Sequence, residues 1–280
     1  MTAGAPPLMQ EKTQEKDPRD FIAVSWNLHK GRSPLGFKAW GAMRHWVQST
    51  PADAYFLQEA QAQRQNLEIA SGIGEAIQVP DSIASSLSRA DPGNALWDCQ
   101  ATDIATELKL QLALGTTVVK QSRRHGNAIL SPHALDLGGR WDISAHRFER
   151  RGLLVASIAF AEQRVTLLCA HLALTRAARL RQMHWIAQWI VDDAPAGPLI
   201  LAGDFNDWRN DSAALFGTIG LVEVAASLGH KGKTFPSFSP ALALDKMFVR
   251  GMTPLEWLVP GRKTAWLSDH LPYMARLRVD

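Results

Sequence analysis

Polar side chains able to bind a metal ion or transfer a proton stand directly after several apolar runs of this 280-residue chain. Asn27 follows Ala-Val-Ser-Trp, Glu59 follows Tyr-Phe-Leu-Gln, and His171 follows Leu-Leu-Cys-Ala. Further along the chain, short apolar runs flank five more such side chains: Asp204, Asn206, Asp245, Asp269 and His270. Hard oxygen donors are the ligands that Mg²⁺-class ions prefer, and a histidine near a carboxylate is a common base. The set and its order are typical of phosphoryl chemistry.

Each of these residues also has an ordinary structural explanation when it is taken alone. Asn27, Asp204 and Asp269 suit helix caps or turns, which Asp and Asn commonly occupy after a strand. A single histidine such as His171 is more often a hydrogen-bonded structural group, and Glu59 could simply be solvated. The joint pattern, rather than any one residue, therefore supports the prediction of a catalytic site.

Short strands are predicted to position these side chains. The pattern of apolar residues indicates strands at 21–26, 55–57, 116–119, 127–130, 153–160, 165–170, 199–202, 245–249 and 273–277. Helices are predicted over 36–49, 102–114 and 175–191, the first with Phe37 and Trp40 on its apolar face. Strands outnumber crossover helices, which favours a sheet sandwich flanked by helices over a doubly wound parallel sheet. Strand ends of one sandwich meet at a common rim, where loop residues do chemistry.

The composition is that of a globular protein with a large core. Hydrophobic residues make up 46% and charged residues 20% of the chain, so we expect one domain over 21–280. Residues 1–20 are polar and contain proline, and we expect a flexible tail there. Residues 60–98, with a stretch rich in Ser, Asp, Pro and Gly, are predicted to form an irregular insertion or a surface loop. Cys169 lies in an apolar run and is expected to be a buried free thiol.

Charge and hydropathy narrow the partners and the compartment. The formal charge is +3 and the sequence pI about 9.0, which permits a phosphate-bearing partner without requiring a nucleic acid. The first residues lack the apolar core of a secretory signal, and no apolar run reaches the roughly twenty residues that span a bilayer. The sequence therefore predicts a cytoplasmic protein with no transmembrane segment.

Six motifs in order resemble those of the endonuclease/exonuclease/phosphatase superfamily, which includes DNase I-like nucleases, sphingomyelinases and inositol polyphosphate phosphatases. They are Ser25-Trp-Asn-Leu, Leu57-Gln-Glu, Gly126-Asn-Ala-Ile-Leu-Ser, Ala170-His-Leu, Ala202-Gly-Asp-Phe-Asn-Asp and Ser268-Asp-His. The resemblance implies a DNase I-like, four-layered α/β sandwich, in which two mixed β-sheets pack face to face between helices. Further motifs, among them Thr234-Phe-Pro and Leu244-Asp-Lys-Met-Phe-Val-Arg, are similar to a bacterial branch of undefined substrate.

The resemblance also implies roles for the residues. Glu59 would be the main ligand of Mg²⁺ or Mn²⁺, with Asn27 and Asp269 close to the ion. His270 would be the general base, oriented by Asp245. Asp204 and Asn206 would position the attacking water and the phosphate. His171 would hydrogen-bond a phosphoryl oxygen.

Three further residues are candidate substrate contacts. One of Arg150 and Arg151 is expected to reach the phosphate, and the sequence leaves open which one. Trp208 directly follows the Asp-Phe-Asn-Asp turn and is expected near the rim of the site.

Three functions remain open at this stage. The leading prediction is a phosphodiesterase with nucleic acid as a generic substrate, and the alternative is a phosphoesterase acting on a phospholipid or an inositol phosphate. A non-catalytic binding module is disfavoured, because a degenerate copy should have lost at least one of the catalytic residues.

Overall fold

The computed structural model describes residues 17–64, 97–120, 123–146, 149–258, 260 and 262–280. The strands are β1 Asp20–Asn27, β2 Ala54–Arg64, β3 Trp97–Cys99, β4 Gln111–Lys120, β5 Arg123–Ser131, β6 Leu135–Asp142, β7 Gly152–Phe160, β8 Gln163–His171, β9 Leu199–Asp204, β10 Val222–Glu223, β11 Asp245–Arg250, β12 Met252–Leu258 and β13 Tyr273–Val279. The helices are α1 Trp40–Ser49, α2 Gln100–Glu107, α3 Arg176–Asp192, α4 Asp211–Gly217 and α5 Val224–Ser227, with 3-10 turns at His29–Gly31 and Arg262–Trp266.

The strands form two mixed sheets. One has the order β12-β13-β1-β2-β5-β4, with β3 paired to β2, and the other has the order β10-β11-β9-β8-β7-β6. Each sheet contains one parallel pair, β1 with β2 and β8 with β9, among antiparallel neighbours. The predicted sandwich of two mixed sheets is confirmed.

Three apolar clusters hold the layers together. Phe21 and Phe56 of the first sheet pack with Leu167 and Met247 of the second. A second cluster lies between the first sheet and helices α1 and α2, and a third lies between the other sheet and helices α3 and α4. Burial of alternate faces on both sides of each sheet explains why the strands read as nearly continuous apolar runs. The four predicted layers are therefore present.

Two sequence-based boundaries are wrong. The helix predicted over 102–114 ends at Glu107, and residues from Gln111 form β4 instead. Leu108, Leu110, Leu112 and Leu114 fit an alternating pattern as well as a helical one, and pairing with β5 decides in favour of the strand.

The first helix also begins later than predicted. It starts at Trp40, and Phe37 lies in the preceding loop with 70% of its surface exposed. Backbone hydrogen bonds from Ser33 N to Phe37 O and from Gly36 N to Ser33 O close a turn there instead of a helix.

At the termini and in the predicted insertion, only part of each prediction falls on described residues. Residues 1–16 and 65–96 lie outside the described part of the chain, whereas 60–64 continue β2 and 97–99 form β3. Strand β1 begins at Asp20, whose carboxylate accepts a hydrogen bond from Arg278 Nε at 2.8 Å.

The strand pairing brings the predicted site residues to one edge of the sandwich. In the parallel pair β8–β9, His171 is aligned with Asp204, and in the antiparallel pair β9–β11, Asp204 is aligned with Asp245. In the other sheet, Asn27 at the end of β1 is aligned with Gln58 of β2, directly before Glu59.

Candidate active site

Asp204 lies at the centre of the site and accepts hydrogen bonds from two directions. Asn27 Nδ2 donates to its Oδ2 at 3.0 Å, which joins the two sheets, and the backbone N–H of Asn206 donates to its Oδ1 at 3.0 Å. His171 Nε2 lies 3.5 Å from Oδ2. Gly203 permits this packing, because a Cβ there would lie 1.8 Å from the carbonyl oxygen of Ala170.

His270 is held between two buried carboxylates. Its Nδ1 lies 2.8 Å from Asp245 Oδ2, and its Nε2 lies 3.8 Å from Asp204 Oδ2. Asp245, Asp204 and His270 place one ligand-type atom each within 4.8 Å of the others, and all three residues are buried. The carboxylate at Nδ1 selects the tautomer in which Nε2 is available for chemistry.

Asp245 is itself fixed by a threonine. Thr234 Oγ1 donates a hydrogen bond to Asp245 Oδ2, the same oxygen that His270 contacts, while Asp245 Oδ1 has no hydrogen-bond partner among the described residues. Thr234 is buried, and its carbonyl accepts a hydrogen bond from Leu271 N at 2.9 Å. The segment around Thr234 thus holds both members of the His–Asp pair.

Burial and charge shift the pKa values of His270, Asp204 and His171. Burial lowers the pKa of His270, but Asp245 and Asp204 outweigh it and raise the value to about 10. Burial raises the pKa of Asp204 to about 6. Burial, reinforced by the charge of Arg151, lowers the pKa of His171 well below its usual value, so that His171 is neutral at physiological pH.

The predicted metal ligands are Asn27, Glu59 and Asp269. Asn27 Oδ1 accepts a hydrogen bond from the backbone N–H of His29 at 3.0 Å. Glu59 Oε2 lies 3.1 Å from Lys30 Nζ but accepts no hydrogen bond of acceptable geometry, and Asp269 Oδ1 lies 3.6 Å from His29 Nδ1.

This half of the site fits a hard divalent cation. Glu59 has a left-handed backbone (φ 54°) at the bulge where β2 shifts register between Leu57 and Ala60. Such strained positions cluster at functional sites. The buried, under-coordinated carboxylate oxygen of Glu59 and the all-oxygen set of Asn27, Glu59 and Asp269 match the donors that Mg²⁺ or Mn²⁺ prefers.

The loop that carries Asp269 and His270 is tied to β1. Ser268 Oγ donates to the carbonyl of Asn27 at 2.7 Å, and Trp26 Nε1 donates to the carbonyl of His270 at 2.9 Å. These two bonds fix the distance between the proton-transfer side and the metal-binding side.

A family model supports what the geometry indicates. The model of the endonuclease/exonuclease/phosphatase family matches residues 24–270. The chain belongs to this family. Members of the endonuclease/exonuclease/phosphatase family are phosphoesterases and nucleases that generally use divalent metals, so membership supports a hydrolase of phosphate esters.

Individual relatives of this family agree with the assignment. Escherichia coli (strain K12) uncharacterized protein YbhP is 31% identical over 181 residues, which cover 63% of this chain and 72% of YbhP. Among solved structures, an endonuclease/exonuclease/phosphatase from Beutenbergia cavernae superposes with a TM-score of 0.64 at 18% identity, over 93% of this chain and 72% of that one. Danio rerio TDP2 in complex with a single-strand DNA product has a TM-score of 0.59 at 16% identity, over 92% and 99% of the two chains. At such identities the structural matches show the endonuclease/exonuclease/phosphatase fold alone.

The structure separates the two arginine candidates. Arg150 is exposed and its Nη1 lies 2.7 Å from Asp142 Oδ2. Arg151 Nε donates to the carbonyl of Leu172 at 3.0 Å, and the same carbonyl accepts from Asn206 Nδ2 at 3.0 Å. Arg151 is therefore the arginine next to the endonuclease/exonuclease/phosphatase site.

Trp208 is half exposed, and its ring lies 4.5 Å from the guanidinium carbon of Arg179. This contact orients the ring, and the location of Trp208 at the rim of the site stays a prediction.

Sequence reasoning missed two partners of the site residues. Thr234 belongs to the Thr234-Phe-Pro motif, but the sequence gives it no role. Its contact with Asp245 depends on how the loop between the two residues folds. Lys30 likewise could not be linked to Glu59 from their positions in the sequence. Lys30 shares a left-handed backbone conformation with His29, Glu59 and Asn206, and this structural signal groups Lys30 with the site residues.

Proposed function

We propose that this chain is a divalent-metal-dependent phosphodiesterase that hydrolyses its substrate with a water activated by His270 and Asp245. The observation that carries the proposal is the His270 ring fixed at Nδ1 by Asp245, with Nε2 3.8 Å from Asp204 Oδ2. A water between Nε2 and this carboxylate would have both a proton acceptor and an orienting group.

The proposed reaction breaks one phosphorus–oxygen ester bond. Water attacks phosphorus opposite the leaving oxygen, and His270 Nε2 takes a proton from the water. The leaving oxygen takes a proton from solvent and departs as an alcohol, and His270 later returns its proton to solvent. Asp245 stabilises the imidazolium that forms. Asp204 and Asn206 orient the water, while neutral His171 and Arg151 hydrogen-bond the phosphoryl oxygens.

Asn27, Glu59 and Asp269 are proposed to hold Mg²⁺ or Mn²⁺, which when bound neutralises charge on the phosphoryl oxygens. This role is supported by the oxygen-only donor set and by the buried Oε2 of Glu59, which lies 3.1 Å from the cation of Lys30 and accepts no hydrogen bond of acceptable geometry.

Hydrolysis of bis(p-nitrophenyl) phosphate by the purified full-length chain tests the proposal. We expect turnover with Mg²⁺ or Mn²⁺, none in excess EDTA, and slower release from p-nitrophenyl phosphate. Full activity in excess EDTA would end the metal assignment, and absence of turnover of any diester would end the phosphodiesterase proposal.

Two substrate classes contain a phosphodiester of this kind, nucleic acids and phospholipids. The D. rerio TDP2 complex with single-strand DNA favours a nucleic acid by analogy of fold. The exposed apolar side chains on the loops near the site favour a phospholipid.

A further inference from the structure

The loops around the candidate active site expose large apolar side chains. Leu35 and Phe37 lie between the first 3-10 turn and α1, and both are about 70% exposed. Phe238 and Trp266, which are 59% and 58% exposed, lie on the two segments that flank the Asp269 loop. Because burying such side chains is favourable, their exposure on loops that lead to the site residues needs an explanation.

Hydrogen bonds place Phe238 and Trp266 on the same side of the site. Ser237 Oγ donates to the carbonyl of Ala265 at 2.7 Å, and Ser237 N donates to the carbonyl of Asp269 at 2.8 Å. The residue before Phe238 is thus bonded both to the residue before Trp266 and to a predicted metal ligand.

A second apolar pair lies beside His171. Leu174 is 59% exposed and stands three residues after His171. Arg179 Nη1 donates to the carbonyl of Leu174 at 2.5 Å, and the guanidinium of Arg179 lies against the ring of Trp208. These contacts hold Leu174 and Trp208 together next to the turn that carries Asp204.

We call these six side chains the apolar rim: Leu35, Phe37, Leu174, Trp208, Phe238 and Trp266. Trp185 and Val191 on α3 and Val222 on β10 are exposed as well, but they lie away from the site loops, and scattered exposed hydrophobic residues are ordinary.

Positive charge accompanies the apolar rim. The stretches 28–39, 228–244 and 259–272 contain one acidic residue, Asp269, and seven basic residues, so their net formal charge is +6: Lys30, Arg32, Lys38, Lys231, Lys233, Arg262 and Lys263. Since the whole chain has a formal charge of +3, the rest of it sums to −3. The basic surplus is therefore concentrated on the loops that carry Phe37, Phe238 and Trp266.

We propose that the apolar rim docks on an anionic phospholipid membrane and presents the diester of a lipid head group to the site. Large apolar side chains that enter the interface, surrounded by lysines that attract anionic head groups, are the two signals of peripheral membrane binding. None of the helices in the described part of the chain has both the length and the apolar character needed to cross a bilayer. The inference rests on the proposed function, because it names the substrate class of the same site.

Single-stranded nucleic acid is the competing partner, since it also binds to basic surfaces with aromatic rings. Leu35 and Leu174 favour the lipid, because an aliphatic side chain has no π-face on which a base can stack. A leucine does, however, gain from leaving water for an acyl interior.

Vesicle flotation with the full-length chain tests this docking directly. Wild type should bind vesicles of phosphatidylcholine with 30 mol% phosphatidylglycerol at least about tenfold more strongly than pure phosphatidylcholine vesicles. High salt should weaken that binding, because it screens the lysines.

The matched variants are Phe238→Ser/Trp266→Ser in the apolar rim and Val191→Ser/Trp185→Ser on α3. The rim variant should lose about tenfold or more in vesicle affinity, since it removes two inserting side chains, whereas the α3 control should bind like wild type. Circular dichroism checks the fold of both. Lys38→Glu/Lys233→Glu, which alters exposed charges only, should reduce binding to the anionic vesicles as well.

Wild type that does not float with the anionic vesicles, or a rim variant that floats as wild type does, overturns the membrane inference. Binding of a single-stranded oligonucleotide, lost in the rim variant while vesicle binding is absent, would instead assign the surface to nucleic acid. Either result leaves the phosphodiesterase proposal standing if wild type still hydrolyses the soluble diester, so the two failures are distinguishable.

Discussion

The two halves of the site differ in how completely they are formed by the chain itself. On the proton-transfer side, His270 contacts a carboxylate at each ring nitrogen, and Thr234 fixes one of those carboxylates. On the metal-binding side, the carboxylates of Glu59 and Asp269 face side chains that can carry positive charge, Lys30 and His29.

This difference agrees with a preorganised proton-transfer half and with the proposal that an ion completes the other half. A buried His–Asp pair costs desolvation whether or not an ion is present, and the chain offsets part of that cost at Asp245 Oδ2, which both His270 and Thr234 contact. Lys30 is half exposed and can move into solvent when a cation takes its place. The predictions below separate the two halves.

The largest effect is expected from His270→Ala. Removal of a positioned general base should lower kcat for bis(p-nitrophenyl) phosphate by roughly 10²–10⁴-fold and leave metal affinity nearly unchanged. Steady-state kinetics with a Mn²⁺ titration measure both quantities. A His270→Ala variant that loses metal affinity and keeps its kcat would contradict the assignment of His270 to proton transfer instead of metal binding.

Glu59→Gln should show the opposite pattern. It preserves size and removes the negative charge that holds a hard cation, so the metal concentration for half-maximal activity should rise by about 10–100-fold. With saturating metal, much of the kcat should return. An unchanged metal requirement would remove Glu59 from the ligand set.

Asp245→Asn should shift the pH dependence of kcat. His270 must be neutral to accept a proton, so kcat rises as the pH increases through the pKa of His270 in the working enzyme. Asp245 and Asp204 together raise the pKa of His270 to about 10 in the metal-free protein. Removal of the Asp245 charge should therefore move the acidic limb of the profile to lower pH, with a lower plateau, and a limb that stays in place would contradict the pairing.

Thr234→Val should have the smallest effect. It removes one hydrogen bond to Asp245 and keeps the volume, so kcat should fall about fivefold, as expected for a loss of ~1 kcal/mol. Thr234→Ser retains the hydroxyl and should restore most of the rate. Equal rates for the valine and serine variants would assign Thr234 to packing alone.

The sequence contained more information on the chemistry than on its supports. The strands that end in Asn27, His171 and Asp204 could be predicted because each is a run of apolar residues followed by a polar one, and such a pattern is local in the sequence. The support of Asp245 by Thr234 depends on the path of the intervening loop, which no periodicity encodes. The exposure of Phe37 was missed for a related reason, because it also fits the apolar face of the helix that follows.

The double-mutant cycle of His270→Ala and Asp245→Asn tests the central claim most directly. A base and its orienting carboxylate act as one unit, so the double variant should have a kcat little lower than that of His270→Ala alone. The four proteins are compared on bis(p-nitrophenyl) phosphate at saturating Mn²⁺, each on the pH-independent plateau of its own kcat profile. Additive losses of log kcat would show that the two residues act independently and would contradict the account of His270 as a base held by Asp245.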